Sequence, residues 1–205
     1  MSETVEITLY AFAELADEAK AVARDWYRTG ALDYDWWDAV YQDFGEVCER
    51  LGASVILARG RSAQPAIFFS GFSSQGDGAC FEAHYRYKKG ASQAIRDYAP
   101  KDNELHAIGD ALLAVQRRNF YQLRATTSHR GRYYHEYSMA VEVGRGDAEM
   151  TTDAQDVVSE ALRDLARWLY RQLEAKYDYL HSDEAVEESI AINGYLFRAS
   201  GAFWS

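Results

Sequence analysis

Three strand-like runs between residues 53 and 87 constrain this chain most. "ASVILAR" (53–59), "PAIFFSGF" (65–72) and "ACFEAHYRY" (79–87) are rich in apolar, β-branched and aromatic residues, and only short turn-like stretches join them. A parallel pairing needs a crossover of about a dozen residues or more, so neighbours this close pair antiparallel. Further along, "FYQLRATTS" and "YYHEYSMAVEV" flank a turn at His129 to Arg132 and read as a long hairpin. Sheets built from hairpins bury one face and need helices to cover it.

The helices are legible from their 3.6-residue period. "ELADEAKAVARDWYRTG" carries Ala19, Val22, Ala23 and Trp26 on one stripe, with Asp17 and Glu18 at its start and Gly30 at its stop. "DYDWWDAVYQDFGEVCERLG" is expected to start from Asp33 or Asp35 and to end at Gly52, with Trp36, Val40, Phe44, Val47 and Leu51 inward. "ELHAIGDALLAVQRRNF" (104–120) turns Leu105, Ile108, Leu112 and Val115 to the core. The longest helix spans 153–180, with Val158, Ala161, Leu162, Leu165, Trp168, Leu169 and Leu173 in phase. Ser182 caps a short acidic helix that stops at Asn193–Gly194. Flanking strands are expected at 4–12 and over "YLFRASGAFW", while 88–103 is a connection with one helical turn or more.

With no linker or internal repeat, the expectation is a single α+β domain over residues 1–205. Its antiparallel sheet of about five to seven strands would be covered by about four to five helices. A hydrophobic content of 48% provides ample core, and 15 Tyr and 5 Trp make it aromatic-rich. The first residues lack the pattern of a signal peptide, and no apolar run is long enough to span a bilayer. Two cysteines are too few for a disulfide framework, and Cys48 sits on an apolar helix face. A cytoplasmic protein without membrane attachment is the expectation.

The formal net charge of −10 is unevenly spread. Residues 1–52 hold 12 acidic and 4 basic side chains, residues 86–132 hold 4 and 10, and residues 133–205 hold 14 and 6. The acidic balance argues against a duplex-DNA footprint. The basic middle interleaves Arg86, Lys88, Lys89, Arg117, Arg118, Arg124, Arg130 and Arg132 with Tyr85, Tyr87, Tyr121, Tyr133 and Tyr134. That mixture suits single-stranded nucleic acid or nucleotides, but pairing with the acidic ends is the favoured reading.

"SSQGDG" (73–78) has two glycines around Asp77. Such a loop can turn backbone N–H groups toward an anion, and Asp-Gly is equally a hairpin signal. It is neither a P-loop nor a dinucleotide fingerprint, and nothing in the chain calls for a cofactor. Alternation puts Cys80, Glu82, His84 and Arg86 on the outward face of the next strand. Cys80 and His84 would lie about 13 Å apart at ~3.3 Å per residue, too far to act together. Any base for the thiol must come from elsewhere, with His135 and Glu136 as candidates. The loop and strand give a candidate ligand or partner site of Ser74, Gln75, Asp77, Glu82, His84 and Arg86. No catalytic residue is assigned, and the histidines lack metal-ligand spacing. A second candidate is an acidic, aromatic-rich surface of Asp35, Trp37, Asp38, Tyr41, Asp43, Glu46 and Glu49, suited to capturing a basic partner.

The stretches "YAFAELADEAKAVARDWYR", "DYDWWDAVYQDF", "FSGFSSQGDGACFEAHYRY" and "YAPKDNELHAI" resemble a family of phage- and prophage-encoded small proteins. Some of these are labelled antitoxins of toxin–antitoxin stability systems. One departure is Ala16 where a Ser helix cap is expected before Asp17. The resemblance implies an accessory protein of a mobile element that binds a host toxin or defence protein, for example a CRISPR component. The expected function is therefore non-enzymatic inhibition through the acidic surface. The alternative is a small-ligand or nucleotide module, or a hydrolase, using the SSQGDG loop and the strand behind it.

Overall fold

The computed structural model describes residues 6–30, 32–58 and 64–204. In chain order the elements begin with β1 (Tyr10–Ala11), α1 (Asp17–Gly30), α2 (Asp38–Leu51), β2 (Ala53–Val55), β3 (Ile67–Phe69), β4 (Ala79–Phe81) and β5 (Ala83–Arg86). They continue with α3 (Ala91–Tyr98), α4 (Asn103–Arg118), β6 (Arg124–His129), β7 (Met139–Gly144), α5 (Ala154–His181), α6 (Asp183–Ile192) and β8 (Leu196–Phe197). No helix among the described residues is long and apolar enough to cross a membrane.

The class is mixed α and β with antiparallel pairing, as expected, but the single sheet of five to seven strands is not found. The described strands form sheets of four, two and two. Two causes account for this. β1 and β8 pair with each other as a two-stranded sheet of their own. The run 79–86 also changes partner halfway: β4 pairs with β3, and β5 pairs with β2 and β6. The described residues hold six α-helices rather than four to five, because residues 91–98 form a full helix.

The reading of 1–205 as one domain meets a chain that divides into two compact units. One runs from Trp37 to Glu174; the other joins the residues up to Trp36 with those from Ala175 onward. In the latter, Phe12, Leu15, Ala19 and Ala23 pack against Val186, Ile190 and Phe197. Trp26 stacks on Phe203 at 4.0 Å, and Arg24 donates to Glu187 at 2.6 Å. Gly201 approaches α1 so closely that a Cβ would stand 2.0 Å from the Ala19 carbonyl oxygen. Ser182 does cap α6, accepting from the Ala185 N–H. Val22, expected inward, is 47% exposed, so the buried stripe of α1 is narrower than its periodicity suggests.

In the 37–174 unit the strand order is β2-β5-β6-β7. Alternation sends Ala53, Tyr85, Ala125 and Thr127 to the core face. The core places Phe44 of α2 against Phe81 at 5.0 Å and Trp168 of α5 at 6.5 Å. α2 begins at Asp38, with Trp37 rather than Asp33 or Asp35 at its cap. Gln155 of α5 covers the outer edge of β7 by accepting from Val143 N and donating to Val141 O. The opposite sheet face is exposed, with Ser54, His84, Thr126 and Glu142 in one cross-strand row.

The partner change at Glu82 is held by side chains. Thr127 Oγ1 accepts from Ala83 N at 2.8 Å and donates to Phe81 O at 2.9 Å, spanning the irregular residue. The Glu82 carboxylate accepts from His129 N at 3.0 Å. Both contacts continue the β6 pairing where regular backbone bonds stop.

Candidate functional site

The SSQGDG loop closes on itself. Asp77 Oδ2 accepts from the backbone N–H of Ser74 at 2.7 Å and of Ser73 at 3.0 Å. These bonds, that from Ser74 first, hold the carboxyl below the usual aspartate value. Ser70 Oγ takes Gly78 N at 3.3 Å. The N–H groups of Ser73 and Ser74, which could cradle an anion, are therefore occupied by the loop's own carboxylate. Ser74 and Gln75 project into solvent.

The strand that follows departs from simple alternation. Cys80, expected outward, is fully buried, because the β6–β7 connection lies over it. Its thiol faces the Ser138 hydroxyl and the His135 backbone, and burial pushes its pKa up to about 11. His135 Nδ1 sits 3.0 Å from Glu136 Oε2, and Glu136 Oε1 takes Arg167 Nε at 3.0 Å. That carboxylate serves an ion network rather than the thiol. Glu82 is engaged with His129. His84 and Arg86 do reach the exposed sheet face, where His84 Nδ1 lies 3.3 Å from Thr126 Oγ1.

The acidic residues are divided. Asp35 belongs to the unit that holds the residues up to Trp36, whereas Asp38, Asp43, Glu46 and Glu49, with Trp37 and Tyr41, lie in the 37–174 unit. Asp43 accepts from the Tyr98 hydroxyl and raises that phenol's pKa. Glu46 pairs with Arg50, whose guanidinium lies 4.0 Å over the Tyr98 ring, and Glu49 lies 4.0 Å from Lys88. Trp37 and Tyr41 pack edge-on against Phe69. Trp37, Asp38, Tyr41 and Gln42 line a concavity of about 230 Å³ with Gln64 and Pro65.

A different constellation forms where β5 leaves the four-stranded sheet and β6 enters it. Arg86 and Arg124 are direct cross-strand partners there, and both are exposed. Gly52, with φ of 90°, lets β2 start beside them, since a Cβ would stand 2.3 Å from the Arg86 carbonyl oxygen. Next to it lies a concavity of about 750 Å³ lined by Ser54, Arg86, Tyr87, Lys88 and Lys89, together with Glu49.

The end of α4 builds the adjoining corner. Tyr121 N donates to Gln116 O at 2.7 Å and Phe120 N to Arg117 O at 3.3 Å. This is the Schellman pairing, whose left-handed residue is usually Gly. Here it is Phe120, with φ of 57°, and Tyr121 follows at 63°. Two fully buried amides fix the turn. Gln116 donates to Leu123 O and accepts from Leu123 N, and Asn119 does the same with Val115 O and Thr151 N. The rings are left outside: Phe120 is 69% exposed, with the Arg145 guanidinium 4.8 Å over it, and Tyr121 rests on Tyr87 at 4.6 Å.

Pairing of the basic middle with the acidic ends is realised in part. Lys88, Arg118 and Arg130 reach Glu49, Asp153 and Glu142. Arg86, Lys89, Arg117, Arg124 and Arg145 make no ion pair among the described residues. The sequence places Arg86 both with the SSQGDG loop and in the basic, tyrosine-rich middle, and overlooks Phe120, whose signal is the lack of a Gly where α4 stops.

Residues 36–183 match the model of a domain of unknown function, DUF8835. The chain belongs to this family. The matched span takes in all of the 37–174 unit, and with it the Arg86–Arg124 sheet end and the α4 corner. No curated protein and no solved structure matches the chain.

Proposed function

We propose that the family domain is a binding module for a phosphate-bearing ligand, received at the sheet end where Arg86 and Arg124 meet. The cross-strand pairing of these arginines carries the reading. Like charges directly opposite on adjacent strands destabilise a sheet, and an anion spanning both removes that cost. Guanidinium groups suit the task because their planar forks bind phosphate oxygens in pairs. Lys88 and Lys89 line the adjoining concavity. The chain's −10 does not oppose this, because exposed charges beyond a Debye length of about 8 Å are largely screened at physiological salt. Calorimetric titration with tripolyphosphate is the test. Binding by the natural protein and its loss in Arg86→Gln/Arg124→Gln are expected; equal binding by both refutes the proposal.

A second reading concerns the concavity bordered by Trp37, Asp38, Tyr41 and Gln42, which pairs an exposed carboxylate with aromatic walls. A basic segment of a host toxin or defence protein docked there would make the chain an inhibitor, consistent with an accessory role in a mobile element. Such a complex would survive Arg86→Gln/Arg124→Gln and be lost in Trp37→Ala/Asp38→Lys. The reverse pattern in co-purification excludes this reading.

A further inference from the structure

We infer that the ligand is a single-stranded nucleic acid, whose bases stack on Tyr87, Phe120 and Tyr121 while its phosphates follow Arg86 and Arg124; this rests on the phosphate-binding reading above. The aromatic rings and the unpaired arginines are contiguous. Tyr87 follows Arg86 at the end of β5, Tyr121 precedes Arg124 at the start of β6, and the two phenol rings meet at 4.6 Å. Arg145 extends the same surface beyond Phe120.

The backbone shows that this exposure is built. An L-residue in the left-handed region is unfavourable, and two in succession persist only where their surroundings over-determine them. Gln116 and Asn119, both fully buried, supply that constraint. A Gly at position 120 would satisfy the turn without strain, yet the position carries a phenyl ring that is 69% exposed. The turn thus holds the large side chains of residues 120 and 121 toward solvent beside unneutralised arginines.

That combination selects among phosphate-bearing ligands. A duplex hides the flat faces of its bases inside its own stack, so it can use the arginines and not the rings. An unpaired strand offers a base face with each phosphate, and a groove of aromatic and basic side chains binds it with little sequence preference. An acidic peptide would satisfy the arginines but has no flat faces to stack.

Fluorescence anisotropy with a labelled oligo-dT of about 12 nucleotides, within the usual single-strand footprint, is the test. A duplex of the same length and polyglutamate serve as competitors. The single strand is expected to bind more tightly than either. Tyr121→Gly, which removes the ring and relieves the backbone, is expected to weaken single-strand binding about tenfold. Tyr87→Leu provides a second ring deletion outside the strained turn. Arg124→Gln is expected to weaken every phosphate probe and to lower the salt slope by about 0.7 for each phosphate that the arginine neutralises. Full single-strand binding by Tyr121→Gly and Tyr87→Leu, or equal affinity for the duplex, overturns the inference and leaves the phosphate site standing. Polyglutamate binding as tightly as the oligonucleotide also overturns it. Unchanged tripolyphosphate and oligonucleotide binding by Arg86→Gln/Arg124→Gln removes the phosphate site, and this inference with it.

Discussion

Replacing Phe120 by Gly and by Ala separates two terms that usually travel together. Both changes delete a ring that is 69% exposed, so little apolar burial is sacrificed, and both forfeit its stacking with Arg145. At an exposed site that interaction is worth about 0.5–1 kcal/mol. Only Gly relieves the left-handed backbone at φ 57°, a strain of about 1–2 kcal/mol. Gly in turn costs about 0.4–1 kcal/mol of extra unfolded-chain entropy relative to Ala. The ring terms cancel between the variants, leaving Phe120→Gly more stable than Phe120→Ala by roughly 1 kcal/mol. This reverses the order these residues show inside a helix. Urea unfolding followed by the intrinsic fluorescence of the five tryptophans reads the difference as a midpoint separation of about 0.3–1 M at unchanged slope. Equal midpoints, or a higher one for Phe120→Ala, would refute the claim that the turn is strained by its side chains.

Three further outcomes are expected. Thr127→Val keeps the shape but leaves Ala83 N and Phe81 O without their clasp, costing about 2–4 kcal/mol, while Thr127→Ser stays close to the natural protein; a loss under ~0.5 kcal/mol in Thr127→Val would contradict the bridging role. Asp77 has a folded pKa below its unfolded value, so its hold on the loop is complete above about pH 4 and is lost as pH falls through the lower folded value. Amide shifts of Ser73 and Ser74 should titrate in that acid window and stop doing so in Asp77→Asn. Cys48 and Cys80 are both buried with raised pKa values, so neither should react with a disulfide reagent at pH 8 until the protein unfolds; prompt labelling of either would show that its cover opens.

Periodicity read the helices well because each buries one stripe. The inward positions of α4 and α5 are buried as expected, and Gly52 ends α2 in the left-handed region. Val22 failed because α1 packs on its neighbours through Ala19, Ala23 and Trp26, a strip that leaves position 22 outside. Strand membership was harder to read. Nothing local in "ACFEAHYRY" says that pairing changes at Glu82, since the change depends on Thr127, forty-five positions later. Cys80 alternates outward by period, yet a distant connection covers it, and alternation reports strand phase rather than what lies above the strand. At the candidate site the basic and aromatic composition was visible. The cross-strand meeting of Arg86 with Arg124 required a register that only the fold supplies. The tight Asp77-Gly78 turn read from the sequence is not what forms: the turn is centred on Gln75 and Gly76, and the Asp77 carboxylate holds the Ser73 and Ser74 N–H groups that the flanking glycines suggested for an anion.

The unit formed by the residues up to Trp36 and those from Ala175 onward has a consequence for biosynthesis. Arg24 and its partner Glu187 are separated by 163 positions. At a ribosomal rate of about 5–20 residues per second, that interval takes on the order of ten to thirty seconds. Throughout it Phe12, Leu15, Ala19 and Ala23 have been made, while Val186, Ile190 and Phe197 have not. The 37–174 segment, by contrast, can assemble as it emerges. Residues 12–23 therefore leave the ribosome well before the partners they need, and for that interval their apolar surface is open to whatever chaperones the cell supplies.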